Sequence, residues 1–218
     1  MLITSRAAQE YRAMFDLTDA DLSGSVLDCC AGGSSFVAES AGKRVMAVDP
    51  AYRLGPVALA GRVLAALGDG ERMIEAHRDR FDWSWYGDAV RRKGMRAGAA
   101  RAFLADIRAW PGRYVAGALP DLPFADGSFE LVLCSHLLFT WADTLGVGWH
   151  RRALAELVRV ARREVRIFPL VVAGSGDSVP FLTTLRGELH AGGHRTRLRE
   201  VDYRFQRGAR HMLVITPR

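Results

Sequence analysis

The sequence has few cysteines and lysines and no long apolar run, and each shortage argues against a class of protein. Its three cysteines (Cys29, Cys30, Cys134) show no C-x-x-C spacing, so we expect small buried side chains and neither a disulfide framework nor a metal site. No stretch approaches the about 18 apolar residues of a membrane-spanning helix, and the first residues lack the apolar core of a signal peptide. We therefore expect a cytoplasmic protein with no membrane partner.

Lysine is almost absent from a basic chain. Only Lys43 and Lys93 are lysines among 30 basic residues, and the net charge is +6 with a pI near 9.7. Such a charge is compatible with a nucleic-acid partner. An arginine-for-lysine bias in an alanine- and glycine-rich chain is also typical of GC-rich genomes, so we expect a bacterial source and prefer the reading without nucleic acid.

Residues 25–36 (SVLDCCAGGSSF) predict the centre of the fold. A short apolar run ends in Asp28, a turn of small residues follows, and a helical pattern is predicted over 34–41. This is the strand, turn and helix order that opens a nucleotide-binding Rossmann-like unit. A second buried strand ends in Asp49, 21 positions after Asp28, near the ~20-residue offset of an acid that binds a ribose.

The remaining pattern predicts an open, mostly parallel sheet. Predicted strands cover 25–30, 44–49, 113–119, 129–135, 164–170, 196–205 and 209–216, the last two joined by a short, necessarily antiparallel connection. The stretch of about 52–112 is too long for one crossover and predicts a helical insertion into a single domain of 1–218. Breaks are expected at 68–70 and near Gly87, and the aromatic run 81–86 either packs helices together or walls a substrate pocket.

Three groups of residues resemble the class I S-adenosylmethionine-dependent methyltransferases of small-molecule type. They are Val26-Leu27-Asp28 with Gly32, Val48-Asp49-Pro50, and the stretch LPFADGSFELVLCSH over 122–136. The resemblance covers most of the chain outside the insertion. It implies a Rossmann-like three-layer α/β/α sandwich with a mostly parallel seven-stranded sheet, an antiparallel C-terminal strand, and S-adenosylmethionine as cofactor.

By this resemblance, Asp28 would meet the methionine end of the cofactor, Gly32 would let the backbone approach it, and Asp49 would bind the ribose hydroxyls. The other residues expected at the cofactor are Cys30, Ala31, Pro50, Leu119 and Ser135. The sequence departs from the family pattern at Cys30 and Ser34, where the family usually has glycine, and at Ala118, where many members have an acid.

The scarcity of glycine in the turn also bears on the ligand. A dinucleotide site needs G-x-G-x-x-G so that amides approach a pyrophosphate, and the corresponding positions here are Cys30, Gly32 and Ser35. Only one is glycine, which argues against a nicotinamide oxidoreductase. S-Adenosylmethionine carries no phosphate and tolerates a looser turn.

His136 is the candidate general base, because it follows strand four at the edge where open α/β sheets bind ligands. A structural histidine near the cofactor is the alternative, and His150 is a weaker candidate. The predicted activity is methyl transfer to an O, N or C nucleophile of a small molecule; the alternative is a cofactor-binding or RNA-associated module without turnover. The acceptor and the oligomeric state are left open by the sequence.

Overall fold

A computed structural model of the chain describes residues 3–40 and 42–218. The seven strands form one sheet in the order β3-β2-β1-β4-β5-β7-β6, parallel from β3 to β5 and antiparallel on both sides of β7. Their bounds are β1 Val26–Cys29, β2 Val45–Val48, β3 Tyr114–Val115, β4 Phe129–Ser135, β5 Ala161–Phe168, β6 Arg195–Glu200 and β7 His211–Thr216. The predicted fold class is confirmed.

Helices cover both faces of the sheet, so alternate side chains of the central strands enter two separate apolar cores. In β4, Leu131 and Leu133 pack into one core while Val132 and Cys134 pack into the other. The helices are α1 Ala8–Phe15, α2 Pro56–Ala76, α3 Ala89–Ala109, α4 Val147–Val160 and α5 Leu182–Ala191. Side chains of α1, α2 and α3 contribute to the first core, and those of α4 and α5 to the second.

The insertion is helical, as predicted, and consists mainly of α2 and α3. The expected break at 68–70 is wrong, because α2 runs without interruption through Gly68 and Gly70. The expected break near Gly87 is confirmed, since that residue has a φ of +82° and lies between the helices. An isolated glycine costs a helix only about 1 kcal/mol, which packing of α2 on α3 offsets.

Several predicted elements are shorter than expected, among them the strand predicted over 196–205, which covers Arg195–Glu200. The helix over 34–41 is replaced by turns and a 3-10 segment, Ala38–Ser40, with Ala41 outside the described residues. The Ser34 hydroxyl accepts the Phe36 N–H at 3.0 Å and Ser40 donates to the Phe36 carbonyl at 2.6 Å, so serine side chains compete with helical bonds in a segment too short to form a helix alone. Strand β3 is reduced from 113–119 to two residues, because glycine and proline interrupt the ladder after it.

Arg166 is a buried cation on β5. Its guanidinium contacts Asp21 at 2.7 Å, Glu164 at 2.5 Å and the Phe15 carbonyl at 2.8 Å. Within the described residues, no helix is long and apolar enough to cross a membrane.

Candidate functional site

A cavity of about 1200 Å³ opens at the carboxyl ends of β1, β2, β4 and β5. Its wall also includes the 3–6 segment, the second half of α2, the first half of α3 and the loops after β4 and β5. Of the residues expected at the site, six cofactor residues and the candidate base line it: Cys30, Gly32, Asp49, Pro50, Leu119, Ser135 and His136. Ala31 and Asp28 do not.

The turn after β1 uses all its backbone donors within the protein. Every N–H from residue 30 to residue 35 donates to an internal acceptor at 2.8–3.3 Å. In order of the donors, these acceptors are the carbonyl of Val48 (twice), the Asp49 carboxylate, and the carbonyls of Thr4, Ala31 and Arg6. Because a phosphate site depends on free amides, this turn does not have the donors of a dinucleotide site.

Cys30 keeps the backbone geometry that a glycine would have. Its φ is +62°, in the left-handed region that costs a side-chain-bearing residue about 1–2 kcal/mol. Contrary to the expectation of a small buried residue, Cys30 is half-buried and faces the cavity, whereas Cys29 and Cys134 are buried as predicted. The departure from glycine at this position therefore changes the side chain at the wall and not the course of the chain.

Gly32 and Gly33 are needed for close contact with the 3–6 segment. A Cβ on Gly32 would lie 3.1 Å from the Thr4 carbonyl oxygen, and one on Gly33 would lie 2.8 Å from the Ser5 hydroxyl. Gly32 also has a φ of +59°. The two glycines of the turn thus allow the 3–6 segment to pack closely against it. Tyr52 also contacts the turn, because its hydroxyl donates to the Gly32 carbonyl at 2.8 Å.

Asp49 connects the turn to the end of β2. One carboxylate oxygen accepts the Gly32 N–H at 3.0 Å and the other accepts the Ala51 N–H at 2.8 Å. Burial raises the pKa of Asp49, and the two backbone donors oppose that shift. Each oxygen has a second lone pair, so the carboxylate on the cavity wall retains capacity for two ligand hydroxyls.

Asp28 and Ala31 lie behind the turn. Both are buried, and Asp28 accepts the Tyr11 hydroxyl at 3.0 Å through one oxygen, while the other has no partner among the residues that the structure describes. Burial raises the pKa of Asp28 well above its usual range. The geometry does not support direct contact of these two side chains with a ligand. Tyr11 is itself buried and stacks on Phe36 with 4.7 Å between ring centroids.

The wall beyond β2 is apolar. Pro50, Ala118 and Leu119 line it, and the chain contributes no acidic side chain at position 118. These surfaces are compatible with a flat, uncharged nucleobase. Backbone groups would then recognise the edge of that nucleobase. Among residues 3–40 and 42–218, no three His, Cys, Asp or Glu side chains are grouped as a metal site.

Ser135 and His136 form a pair where β4 ends. The Ser135 hydroxyl lies 2.8 Å from the ring nitrogen Nδ1 of His136. The backbone N–H of His136 donates to the Phe168 carbonyl at 2.7 Å. His136 has a φ of +56°, a conformation that the surrounding contacts must maintain. Burial and then the positive charges of Arg6 and Arg96 lower the pKa of His136 well below its usual value, so the ring is neutral near pH 7.

His150 has a structural role. It is buried, its Nε2 accepts the Phe139 N–H at 3.1 Å, and its Nδ1 lies 2.8 Å from the Gly146 carbonyl. Both ring nitrogens are thus engaged by the backbone. In the aromatic run 81–86, Phe81 lines the cavity, while Tyr86 packs against Tyr203 and Phe205 in the segment between β6 and β7 and not between two helices.

Sequence reasoning missed the cationic side of the cavity. Arg6, Arg92 and Arg96 line it together with Ser5 and Thr140. Arg92 and Arg96 are four residues apart, which places them on one face of α3, but the contribution of the 3–6 segment has no signal in the sequence.

Comparison with known proteins agrees with this architecture. Residues 89–168 match the family model described as a methyltransferase domain. An uncharacterized protein of Methanocaldococcus jannaschii is 27% identical over 217 residues, covering 98% of this chain and 95% of that protein.

Two solved structures share the fold at low sequence identity. Magnesium protoporphyrin IX methyltransferase from Synechocystis, solved with bound S-adenosylmethionine, has a TM-score of 0.50 at 13% identity over 97% of this chain and 78% of its own. The 1,6-didemethyltoxoflavin-N1-methyltransferase of Burkholderia thailandensis has a TM-score of 0.50 at 14% identity over 95% and 76%. The chain therefore shares the fold of these two methyltransferases, which is the fold that the sequence resemblance predicts, and part of the chain matches a methyltransferase domain model.

Proposed function

We propose that this protein transfers the methyl group of S-adenosylmethionine to a small-molecule acceptor. The observation that carries the proposal is the single cavity wall on which the Asp49 carboxylate, the turn at Gly32 and the His136 ring lie together. The two solved relatives by fold are named for small acceptors, a magnesium porphyrin and a toxoflavin precursor. The cofactor would supply an activated sulfonium methyl group.

The residues on the wall fit the cofactor. Asp49 has a free lone pair on each oxygen for the ribose hydroxyls, and such charge-assisted bonds are worth about 1.5–3 kcal/mol each. Gly32 lines the cavity beside Asp49, and the apolar surface at Pro50 and Leu119 suits an adenine. The turn has no free amides for a pyrophosphate, which again argues against NAD.

The volume supports a small acceptor. The cavity of about 1200 Å³ is larger than the ~300–1000 Å³ of ordinary ligand sites, so a nucleoside cofactor and a second compact molecule can share it. The enclosing side chains of α2, α3 and the loop after β4 then exclude water from the reacting atoms. Orientation of the acceptor in line with the sulfonium is the main contribution required of the protein.

His136 would act as a base where the acceptor must lose a proton. Its lowered pKa keeps it unprotonated near neutral pH. If Nδ1–H donates to the Ser135 hydroxyl, Nε2 is free to accept a proton from the acceptor; in the other tautomer Nε2 carries a hydrogen and can only donate. The Ser135 hydroxyl can both donate and accept, so His136 would act as a base in the tautomer in which Ser135 accepts from Nδ1–H.

Calorimetric titration with S-adenosylmethionine, S-adenosylhomocysteine and NAD tests the cofactor. We expect the first two to bind and NAD not to bind, and NAD binding without S-adenosylhomocysteine binding would refute the proposal. Transfer of a labelled methyl group to members of an acceptor library then separates an enzyme from a cofactor-binding module. In the module, the cofactor would bind but no label would leave it.

A further inference from the structure

Three arginines line the same cavity. Arg6 comes from the segment before α1, while Arg92 and Arg96 come from one face of α3. The Arg96 guanidinium donates to the Ser5 carbonyl at 2.9 Å, which fixes α3 against that segment. The cationic cluster, defined as Arg6, Arg92 and Arg96, is thus built by two elements distant in sequence.

Hydrogen-bond donors of this cluster lack acceptors. The Nε of each arginine and the hydroxyls of Ser5 and Thr140 are buried polar atoms without a partner in the described residues. All five residues line the same cavity, and the one remaining such atom is Asp28 Oδ2. A buried polar group left unpaired costs about 1–3 kcal/mol, and natural structures contain few of them. Their concentration on one wall indicates a polar ligand.

The charges of the cluster are only partly neutralised. Arg96 pairs with Glu10 at 2.9 Å and Arg92 with Glu71 at 3.2 Å. Arg6 has no carboxylate within 4 Å among residues 3–40 and 42–218, and its hydrogen-bond partner is the Thr4 hydroxyl at 2.6 Å. Burial, followed by repulsion from Arg96, lowers the pKa of Arg6. A negative group beside Arg6 would offset both the burial of its positive charge and the repulsion from Arg96.

The geometry points to a methyl acceptor that carries a carboxylate, bound by Arg6 with Ser5 and Arg92 at its sides. A guanidinium presents two parallel N–H donors that match the two oxygens of a carboxylate. Arg6 and His136 line the same cavity, so a carboxylate held at Arg6 would place the acceptor in the cavity that contains the candidate base. This inference deepens the proposed function and rests on it.

The test measures anion preference in protein saturated with S-adenosylhomocysteine, so that the binding site of the cofactor's own carboxylate is already filled. The probes are benzoate, cyclohexanecarboxylate and butyrate, each with its amide and amine analogue, followed by ligand-observed NMR and calorimetry. We expect at least one carboxylate to bind about tenfold or more tightly than its amide, as a charge-assisted pair predicts. If no carboxylate binds, or if the amides bind as tightly, the inference is wrong.

Variants locate the binding group. We expect Arg6→Gln to weaken carboxylate binding about tenfold or more and Arg6→Lys to retain part of it, because lysine keeps the charge but loses the planar fork. Arg62→Gln is the matched control, since Arg62 is exposed on α2 and does not line the cavity. Unchanged carboxylate binding in Arg6→Gln would overturn the assignment of that residue.

The two proposals fail in different ways. If S-adenosylhomocysteine binds but the carboxylates show no preference, only the inference about the acceptor fails. If S-adenosylhomocysteine does not bind, the proposed function fails, and the carboxylate series is then measured on the free protein. A carboxylate preference that disappears in Arg6→Gln would still assign an anion site there.

Discussion

Asp49→Asn should separate the two functions that we assign to this carboxylate. The substitution keeps one acceptor oxygen and replaces the other with an amide donor. Either the Gly32 or the Ala51 N–H then loses its acceptor, and we expect the free energy of unfolding to fall by about 1–3 kcal/mol. One ribose hydroxyl also loses a charge-assisted bond of about 1.5–3 kcal/mol, so affinity for S-adenosylhomocysteine should fall about 10- to 150-fold.

Calorimetry gives the affinity of this variant, and urea denaturation monitored by circular dichroism gives its stability. Asp126→Asn is the matched control, because it makes the same change at an exposed carboxylate that pairs with Arg159 outside the cavity. Asp49→Ala removes both oxygens and should lose tenfold or more in affinity. A stable Asp49→Asn protein that binds S-adenosylhomocysteine as tightly as wild type would refute the assignment to the ribose.

Three further changes test the neighbouring structure. Because the pKa of His136 is lowered in the fold, the unfolded chain binds a proton at this histidine first as pH falls below about 6.5. The free energy of unfolding should therefore fall on acidification by up to about 1.4 kcal/mol per pH unit. His136→Gln should remove that part of the pH slope in urea denaturation from pH 7.5 to 5.5, and a variant slope parallel to that of wild type would contradict the prediction. Tyr11→Phe leaves buried Asp28 without its donor and should cost about 1–3 kcal/mol by the same measurement, whereas no loss would mean that this bond contributes nothing net. Cys30→Gly should be neutral or stabilising by up to about 1 kcal/mol, because the φ of Cys30 is positive. Cys29→Gly in β1 should destabilise the protein. Equal losses of stability in both variants would argue against backbone strain at Cys30.

The mostly parallel sheet and the position of the site could be predicted from the sequence because both depend on local patterns. Apolar runs ending in Asp28, Asp49 and Ser135 mark strand ends, and parallel strands bring their carboxyl ends to one edge. Six of the eight predicted cofactor residues line the cavity at that edge. The role of Asp28 was harder to predict, because its orientation towards Tyr11 depends on where α1 packs.

The cationic cluster could not be predicted from the sequence. Arg6, Arg92 and Arg96 look like ordinary members of an arginine-rich chain, and only the docking of the 3–6 segment against α3 brings them together. The continuity of α2 through Gly68 and Gly70 was missed for a similar reason, since packing of α2 on α3 overrides the local preference of glycine.

Glu10 has a consequence for how the protein opens. Its carboxylate accepts from Tyr86 at 2.5 Å, pairs with Arg96 at 2.9 Å, lies 3.4 Å from the Tyr203 hydroxyl and caps the Ala7 N–H. One fully buried acid thus joins α1, the insertion and the chain near β7. Detaching any of these parts would leave a buried charge without its partner, so local opening of the insertion is disfavoured. The slowest-exchanging amides of α3 should therefore exchange with deuterium as slowly as those of the central strands.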